Sequence, residues 1–329
     1  MSFRALRIRS VEGKVSAAIE PVERDELDPG EVVVRVAYSS VNYKDALAAT
    51  GAGRIIRRFP CIGGIDLAGT VEESIDPRFK RGDSVIVTSY DLGVAHDGGY
   101  SEVARVPAAW VVPLPAGLTL FDSMAYGTAG YTAALAVVRM ETNGLAPDNG
   151  PVVVSGATGG VGSIAIAILA KLGYEVVALT GKAQEADYLR ALGASKVLLR
   201  GDIDFAKVRP LERAEWAGGI DNLGGPVLAW MLAGAKQGAT IASVGLAATP
   251  DLQTTVMPLI LRGASLLGID SGYTPMAVRR EVWRRIATDM HLADLGRIAT
   301  TIPFDALTAT FARFIAGAAK GRIVVDLTR

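Results

Sequence analysis

Gly156, Gly159 and Gly162 stand at a spacing of three, directly after Val152-Val153-Val154-Ser155 and directly before an apolar stretch over residues 163–172. A chain that must turn out of a strand, touch a pyrophosphate with its backbone and pack a new helix close against that strand needs glycine at such points. The free N–H groups and positive dipole end of that helix then face the phosphates. Thr158 stands where the commoner G-x-G-x-x-G has a glycine, so Gly156, Thr158, Gly159, Gly160, Val161 and Gly162 are the expected contacts of a dinucleotide in a G-x-x-G-x-x-G pattern. A second strand, over residues 174–179, arrives where a strand–helix–strand unit requires it and leads into Thr180-Gly181-Lys182, with no acid before Glu185. A site for NAD places a carboxylate there, roughly 20 residues past the glycines, to accept from the ribose 2′-hydroxyl. Thr180, Gly181 and Lys182 offer instead a hydroxyl, a backbone N–H and an ammonium, which suit a 2′-phosphate. The expected cofactor is NADPH.

A second concentration of reactive groups lies at Ser40-Val41-Asn42-Tyr43-Lys44-Asp45, where a valine-rich strand gives way to a helical turn. Such junctions are places for chemistry. Asn42, Tyr43, Lys44 and Asp45 present in succession an amide, a phenol, an ammonium and a carboxylate, which are donors to a developing negative charge and sources of a proton. Tyr43 donates from its phenol, stacks beside a nicotinamide, or is a core aromatic. Lys44 and Asp45 act in catalysis or pair with each other and only fix the loop.

The elements that must hold these groups fall into two kinds. Residues 3–8, 15–19, 31–39, 67–72 and 83–88 read as short strands, with turns at Asp28-Pro29-Gly30, Asp76-Pro77 and Gly82-Asp83. That pattern suggests a partly closed barrel. A helix over residues 120–138, carrying Gly127-Thr128-Ala129-Gly130, leads into an alternation of strands and helices. Helices are expected at 184–192, 226–235 and 256–262, and strands at 196–199, 219–222, 240–244 and 265–269. Alternation of this kind makes a parallel sheet with helices on both faces, with its ligand crevice outside the carboxyl ends of the strands. Leu246 and Ser271 are therefore expected near the nicotinamide and ribose, and Arg200 near the adenine or 2′-phosphate. Thr128 is expected to offer a hydroxyl to the nicotinamide amide. A helix over 276–290 and a last strand over 321–327 return the chain to the β-rich part, giving domains of residues 1–122 with 270–329 and of residues 123–269.

Composition narrows the classes of partner. In 329 residues, 34 Lys and Arg balance 34 Asp and Glu, which gives no long-range attraction to nucleic acid or an anionic membrane. Cys61 is the one cysteine, so an internal disulfide or a multi-cysteine metal site is excluded. With no apolar signal region after Met1 and no apolar span of about 20 residues, a cytoplasmic protein is expected.

The order of these features resembles the medium-chain dehydrogenase/reductase superfamily: a β-rich N-terminal part, Gly127-Thr128-Ala129-Gly130, a loop ending Gly159-Gly160-Val161-Gly162, and a closing Gly321-Arg322 strand. Several blocks resemble its acrylyl-CoA reductase branch, near the quinone oxidoreductases. These are Ser40 through Leu47, Gly64-Ile65-Asp66-Leu67-Ala68-Gly69, Asp76-Pro77-Arg78-Phe79, Val256 through Arg262, and Gly268-Ile269-Asp270-Ser271. The resemblance implies an α/β fold in which a Rossmann doubly wound parallel sheet joins a partly closed, GroES-like β domain. It also implies NADPH-dependent reduction of the C=C bond of acrylyl-CoA to propionyl-CoA, and it adds Ile260 to the cofactor contacts.

The zinc enzymes of the superfamily carry Gly-His-Glu where this chain reads Gly64-Ile65-Asp66, and only Cys61, His96 and His291 remain as scattered ligands, so no metal is expected. An enolate on the thioester oxygen then needs protein donors, and water or a ribose hydroxyl competes with side chains as the source of the α-carbon proton. Arg262 and the helix arginines 279, 280, 284 and 285 are candidates for the phosphates of coenzyme A but read as a solvated face. The alternatives are a reductase of quinones or other α,β-unsaturated carbonyls, and a non-catalytic NADPH-binding protein. The superfamily commonly pairs through its nucleotide domain, so a homodimer along residues 259–269 is expected.

Overall fold

The structure is a computed structural model that describes Ser2–Thr328. Eight strands come first: β1 (Ser2–Val11), β2 (Lys14–Glu23), β3 (Val32–Val41), β4 (Cys61–Ile62), β5 (Asp66–Ser74), β6 (Ser84–Thr88), β7 (Val103–Val106) and β8 (Val112–Pro113), with helix α1 (Tyr43–Thr50) between β3 and β4. Helix α2 (Leu120–Thr142) follows, then β9 (Val152–Ser155), α3 (Gly160–Lys171), β10 (Val176–Thr180), α4 (Ala186–Ala191), β11 (Lys196–Leu199), β12 (Trp216–Asp221) and α5 (Gly225–Ala233). The chain ends with β13 (Ala235–Ser243), α6 (Met257–Leu261), β14 (Ser265–Gly268), α7 (Met276–Ala287), β15 (Ala299–Pro303), α8 (Leu307–Ile315) and β16 (Arg322–Asp326).

These elements divide into two compact units. One runs to Thr128 and includes Gly272–Ala287 and the chain from Asp294; the other is Ala129–Ser271 with Thr288–Ala293. In the first unit β3 is the hub of a seven-stranded sheet ordered β15-β16-β3-β5-β6-β8. One edge of β3 bonds β5, and the other is shared, with β7 on Val32 to Arg35 and β16 on Tyr38 to Val41. Buried valines explain this choice of strand, since Val32, Val34, Val36 and Val41 all face the core with Leu67, Val85 and Val325.

The second unit has six parallel strands ordered β11-β10-β9-β12-β13-β14. Counting its own strands from β9, that is the doubly wound order 3-2-1-4-5-6, whose direction reverses between β9 and β12. Val152, Val153 and Val154 are fully buried, each worth about 1.5–3 kcal/mol by burial. Runs this apolar are what a strand covered on both faces requires.

The expected boundaries shift where local geometry intervenes. The helix expected at 120–138 reaches Thr142 but breaks at Gly127, whose φ of 51° and ψ of −158° lie outside helical space. The helix expected at 184–192 starts as a 3-10 turn, Ala183–Glu185, before α4. The helix expected to reach residue 290 stops at Ala287. Arg279 on that helix corrects the solvated-face reading: it is fully buried, donates to Thr88 O at 3.1 Å and Gly272 O at 3.1 Å, and lies 4.4 Å from the Tyr90 ring centroid. Among the described residues no helix is long and apolar enough to cross a membrane.

Candidate functional site

In the first unit the chemistry gathers where β3, α1, β5, the break in α2 and β16 meet. Asn42 is the N-cap of α1, with extended backbone, and forms a reciprocal capping box with Asp45 three residues on. The Asp45 carboxylate accepts from Asn42 N at 2.9 Å, Asn42 Nδ2 at 3.2 Å and Ile65 N at 3.0 Å. A second carboxylate, Asp66 at the start of β5, is fully buried and accepts from Ser40 Oγ at 2.5 Å, Asn42 Nδ2 at 2.7 Å and Thr128 Oγ1 at 2.5 Å. The compensating cation is Arg322 on β16, which donates to Ala125 O at 3.1 Å, Asn42 Oδ1 at 3.2 Å and Ser40 Oγ at 2.7 Å and stands 3.9 Å from Asp66.

Two carboxylates share one guanidinium out of water, and a charge there is costly unless paired. Burial first, and then the charge of Asp66, push the Asp45 carboxyl up to about 7. A proton on Asp45 leaves the cluster neutral, so the cluster holds a proton near neutral pH. Burial also pulls the Arg322 guanidinium down, opposed by Asp66. Gly127 makes this packing possible. A Cβ there would lie 2.5 Å from Arg322 Nη2, 2.5 Å from Ser40 Oγ and 2.7 Å from Asp66 Oδ2.

This geometry corrects three expectations. Both amide hydrogens of Asn42 go to carboxylates, so its side chain is engaged inward and not offered to a substrate oxygen. Lys44 and Asp45 form no ion pair among the described residues, because Asp45 turns inward while Lys44 is exposed. The Thr128 hydroxyl donates to Asp66 and lies 3.1 Å from Ser89 Oγ, which replaces the expected offer to an amide with a place in the carboxylate network. Tyr43, 47% exposed, keeps its ring accessible. Asp66, Ser89 and Arg322 were missed as site residues; the available signal was an ionisable residue inside a valine-rich strand, as in Arg322-Ile323-Val324-Val325.

In the second unit, the strands' carboxyl ends collect most of the expected cofactor contacts. Gly156 follows β9, Thr180 ends β10, Arg200 follows β11, Leu246 lies past β13 and Ser271 past β14. Gly181 and Arg200 are neighbours, since a Cβ on Gly181 would sit 3.3 Å from Arg200 Nη2. Lys182 N is held by Thr180 Oγ1 at 3.0 Å. Ile260 lies on α6, the short helix between β13 and β14.

A bound dinucleotide fits these residues on two observations. A Cβ on Gly162 would meet Gly156 O at 2.5 Å and Ala157 Cα at 2.8 Å, so only glycine lets α3 start this close to the turn, with its first N–H groups unspent. Asn222, just past β12 and unforeseen from the sequence, donates from Nδ2 to Ser155 O at 2.7 Å while its buried Oδ1 has no hydrogen-bond partner. An acceptor of that kind beside the glycine turn suits a hydroxyl or amide of a nucleotide. Among the described residues no group of three His, Cys, Asp or Glu could hold a metal ion.

Comparison with known proteins places these features in a family. Residues 28–116 match the model of the alcohol dehydrogenase GroES-like domain, and residues 160–288 match that of the zinc-binding dehydrogenases. The chain is 48% identical to the acrylyl-CoA reductase AcuI of Ruegeria pomeroyi over 99% of each chain. It is 46% identical, over 99% of each chain, to a Bacillus subtilis protein described as putative quinone oxidoreductase YhfP, and the crystal structure of Bacillus subtilis yhfP with NAD bound has a TM-score of 0.96. The yhdH oxidoreductase of Salmonella enterica, crystallised in complex with NADP, is 46% identical with a TM-score of 0.96 over 99% of this chain and 100% of that one. The chain belongs to the medium-chain dehydrogenase/reductase superfamily, in its quinone oxidoreductase-like group with the acrylyl-CoA reductases.

Proposed function

We propose that this protein reduces the C=C bond of acrylyl-CoA to propionyl-CoA with NADPH, without a metal. The observation that carries the reading is the 48% identity to an acrylyl-CoA reductase across 99% of both chains. We assign nucleotide binding to the second unit and the thioester to the first. When bound, NADPH supplies the hydride that the β-carbon receives.

The chain's own residues bind and orient. Gly156, Thr158, Gly159, Gly160, Val161 and Gly162 receive the pyrophosphate at the start of α3. Thr180, Gly181, Lys182 and Arg200 take the 2′-phosphate, with no carboxylate at the end of β10 to repel it. Relatives with NADP and with NAD both exist, so the preference rests on these residues. Leu246 and Ser271 line the nicotinamide end. Tyr43 is the group on α1 that reaches outward, donating to the thioester oxygen as negative charge grows there; one such donor is worth about 3 kcal/mol. Asn42, Asp45, Asp66 and Arg322 act by fixing the start of α1.

A quinone is the second reading, favoured by the name of the Bacillus subtilis relative. NADPH oxidation measured with acrylyl-CoA beside a simple quinone separates the two. Faster turnover of the thioester supports the proposal, and turnover of the quinone alone overturns it.

The protein acts in the cytoplasm as a homodimer joined along residues 259–269. Support comes from Leu259, Ile260 and Leu261, which are 37%, 73% and 57% exposed, and from β14, the last strand of its sheet. Light scattering that gives the mass of one chain refutes the pairing.

A further inference from the structure

Ser89 and Tyr90, at φ of 64° and 52°, are two consecutive non-glycine residues in the left-handed region. Such backbone persists only where its surroundings over-determine it, and it concentrates at ligand clamps. Here the surroundings are explicit. Tyr90 N donates to Gly272 O at 3.1 Å and Tyr90 Oη to Thr274 O at 3.3 Å. The Arg279 guanidinium lies over the Tyr90 ring, and Trp110 stacks parallel to that ring at 5.6 Å. Ser89, the residue before, touches Thr128 in the carboxylate cluster.

This clamp carries an outer ring. Tyr273 packs edge-on against Tyr90 at 6.4 Å and is 52% exposed. Its phenol donates to Asp91 at 2.7 Å, and Arg57 donates both to Asp91 at 3.2 Å and to the Tyr273 oxygen at 3.4 Å. An exposed aromatic held at its hydroxyl and backed by another ring loses little entropy when a flat group settles on it. Base stacking uses such surfaces, because every base presents a π face. A guanidinium at the rim of the ring is the side chain that pairs phosphates. Its ion pair with Asp91 is exposed, so a phosphate displaces it at little cost.

We infer that Tyr273, backed by Tyr90 and flanked by Arg57, is the platform for the adenine nucleotide end of the coenzyme A thioester. This rests on the acyl-CoA reading above. The platform discriminates coenzyme A from shorter thioesters.

The test compares acrylyl-CoA with acrylyl-pantetheine, which keeps the thioester and lacks the nucleotide, in the wild type and in Tyr273→Ala. Loss of one stacking contact raises KM for acrylyl-CoA about tenfold, with kcat and the KM for acrylyl-pantetheine unchanged. Tyr273→Phe, which keeps the ring and gives up its hydroxyl anchor, raises KM for acrylyl-CoA less than Tyr273→Ala does, and Arg57→Gln raises KM for the CoA thioester alone. An unchanged KM for acrylyl-CoA in Tyr273→Ala, or an equal rise for both thioesters, overturns the platform while leaving the reductase reading intact. If the wild type reduces neither thioester, the reductase reading fails and takes the platform with it.

Discussion

Replacing Gly127 by alanine tests whether the buried cluster is built around that residue. The backbone there has φ of 51° and ψ of −158°, which costs a residue with a Cβ about 1–3 kcal/mol. The new methyl would also lie 2.5 Å from Arg322 Nη2 and from Ser40 Oγ and 2.7 Å from Asp66 Oδ2, so these groups must separate. Breaking a buried ion pair costs about 3–5 kcal/mol. The two effects overlap, and together they give a loss of about 5 kcal/mol, comparable with the whole stability of an ordinary domain. Gly82→Ala is the control, because Gly82 also has a positive φ, 94°, but nothing lies within 4 Å of its Cβ position. That variant loses only the strain, about 1–2 kcal/mol. Urea unfolding followed by tryptophan fluorescence reads the difference. With a slope of about 2 kcal/mol per molar urea, Gly127→Ala lowers the midpoint by about 2 M or leaves the unit unfolded, while Gly82→Ala lowers it by less than about 1 M. Equal, small shifts in both variants would refute the claim that Gly127 is required by the packing of the cluster.

Other consequences follow from the same geometry. The Asp45 carboxyl stands at about 7 instead of 3.8, so the folded state holds the extra proton between those values. Its contribution to stability is complete below the lower value and is lost as pH rises through the higher one, at up to about 1.4 kcal/mol per pH unit. Urea midpoints from acid to neutral pH fall less steeply in Asp45→Asn than in the wild type; identical slopes contradict this. Gly162→Ala forces the turn away from α3 and weakens NADPH binding by about tenfold or more, measured by calorimetry, with the fold retained. Unchanged affinity removes the glycine turn from the site. Removing Lys182 and Arg200 together lowers NADPH affinity about 100-fold or more, since charged hydrogen bonds are worth about 1.5–3 kcal/mol each and each 1.4 kcal/mol is about tenfold, and leaves NADH affinity alone. An equal loss for both dinucleotides argues against a 2′-phosphate site.

Where side-chain period and backbone freedom carry the information, the sequence is legible. Val152 to Val154, the three glycines after them and the bare Thr180-Gly181-Lys182 corner mark a parallel sheet and its crevice because burial on both faces and close backbone approach restrict composition locally. The strand at 196–199 falls where it was expected. What is not legible depends on distant residues. Asn42 and Asp45 look like free catalytic groups until β5 and β16 bring Asp66 and Arg322 against them, 24 and 280 positions away from Asn42. Arg279 looks solvated on its helix because Thr88 and Tyr90 come from far along the chain. Helix α8 and strand β15 escaped notice for a different reason: β15 reads Ala-Thr-Thr-Ile-Pro, half exposed, and gives only a weak periodic signal. The cofactor edge was readable from topology alone, whereas Asn222 needed the knowledge that β12 lies beside β9.

Acrylyl-CoA reduction is tested by following the thioester itself through turnover, with mass spectrometry counting propionyl-CoA against NADPH consumed. One propionyl-CoA is expected for each NADPH, with NADH a poor substitute. Consumption of NADPH without propionyl-CoA, or tight NADPH binding with no turnover of the thioester, would contradict it.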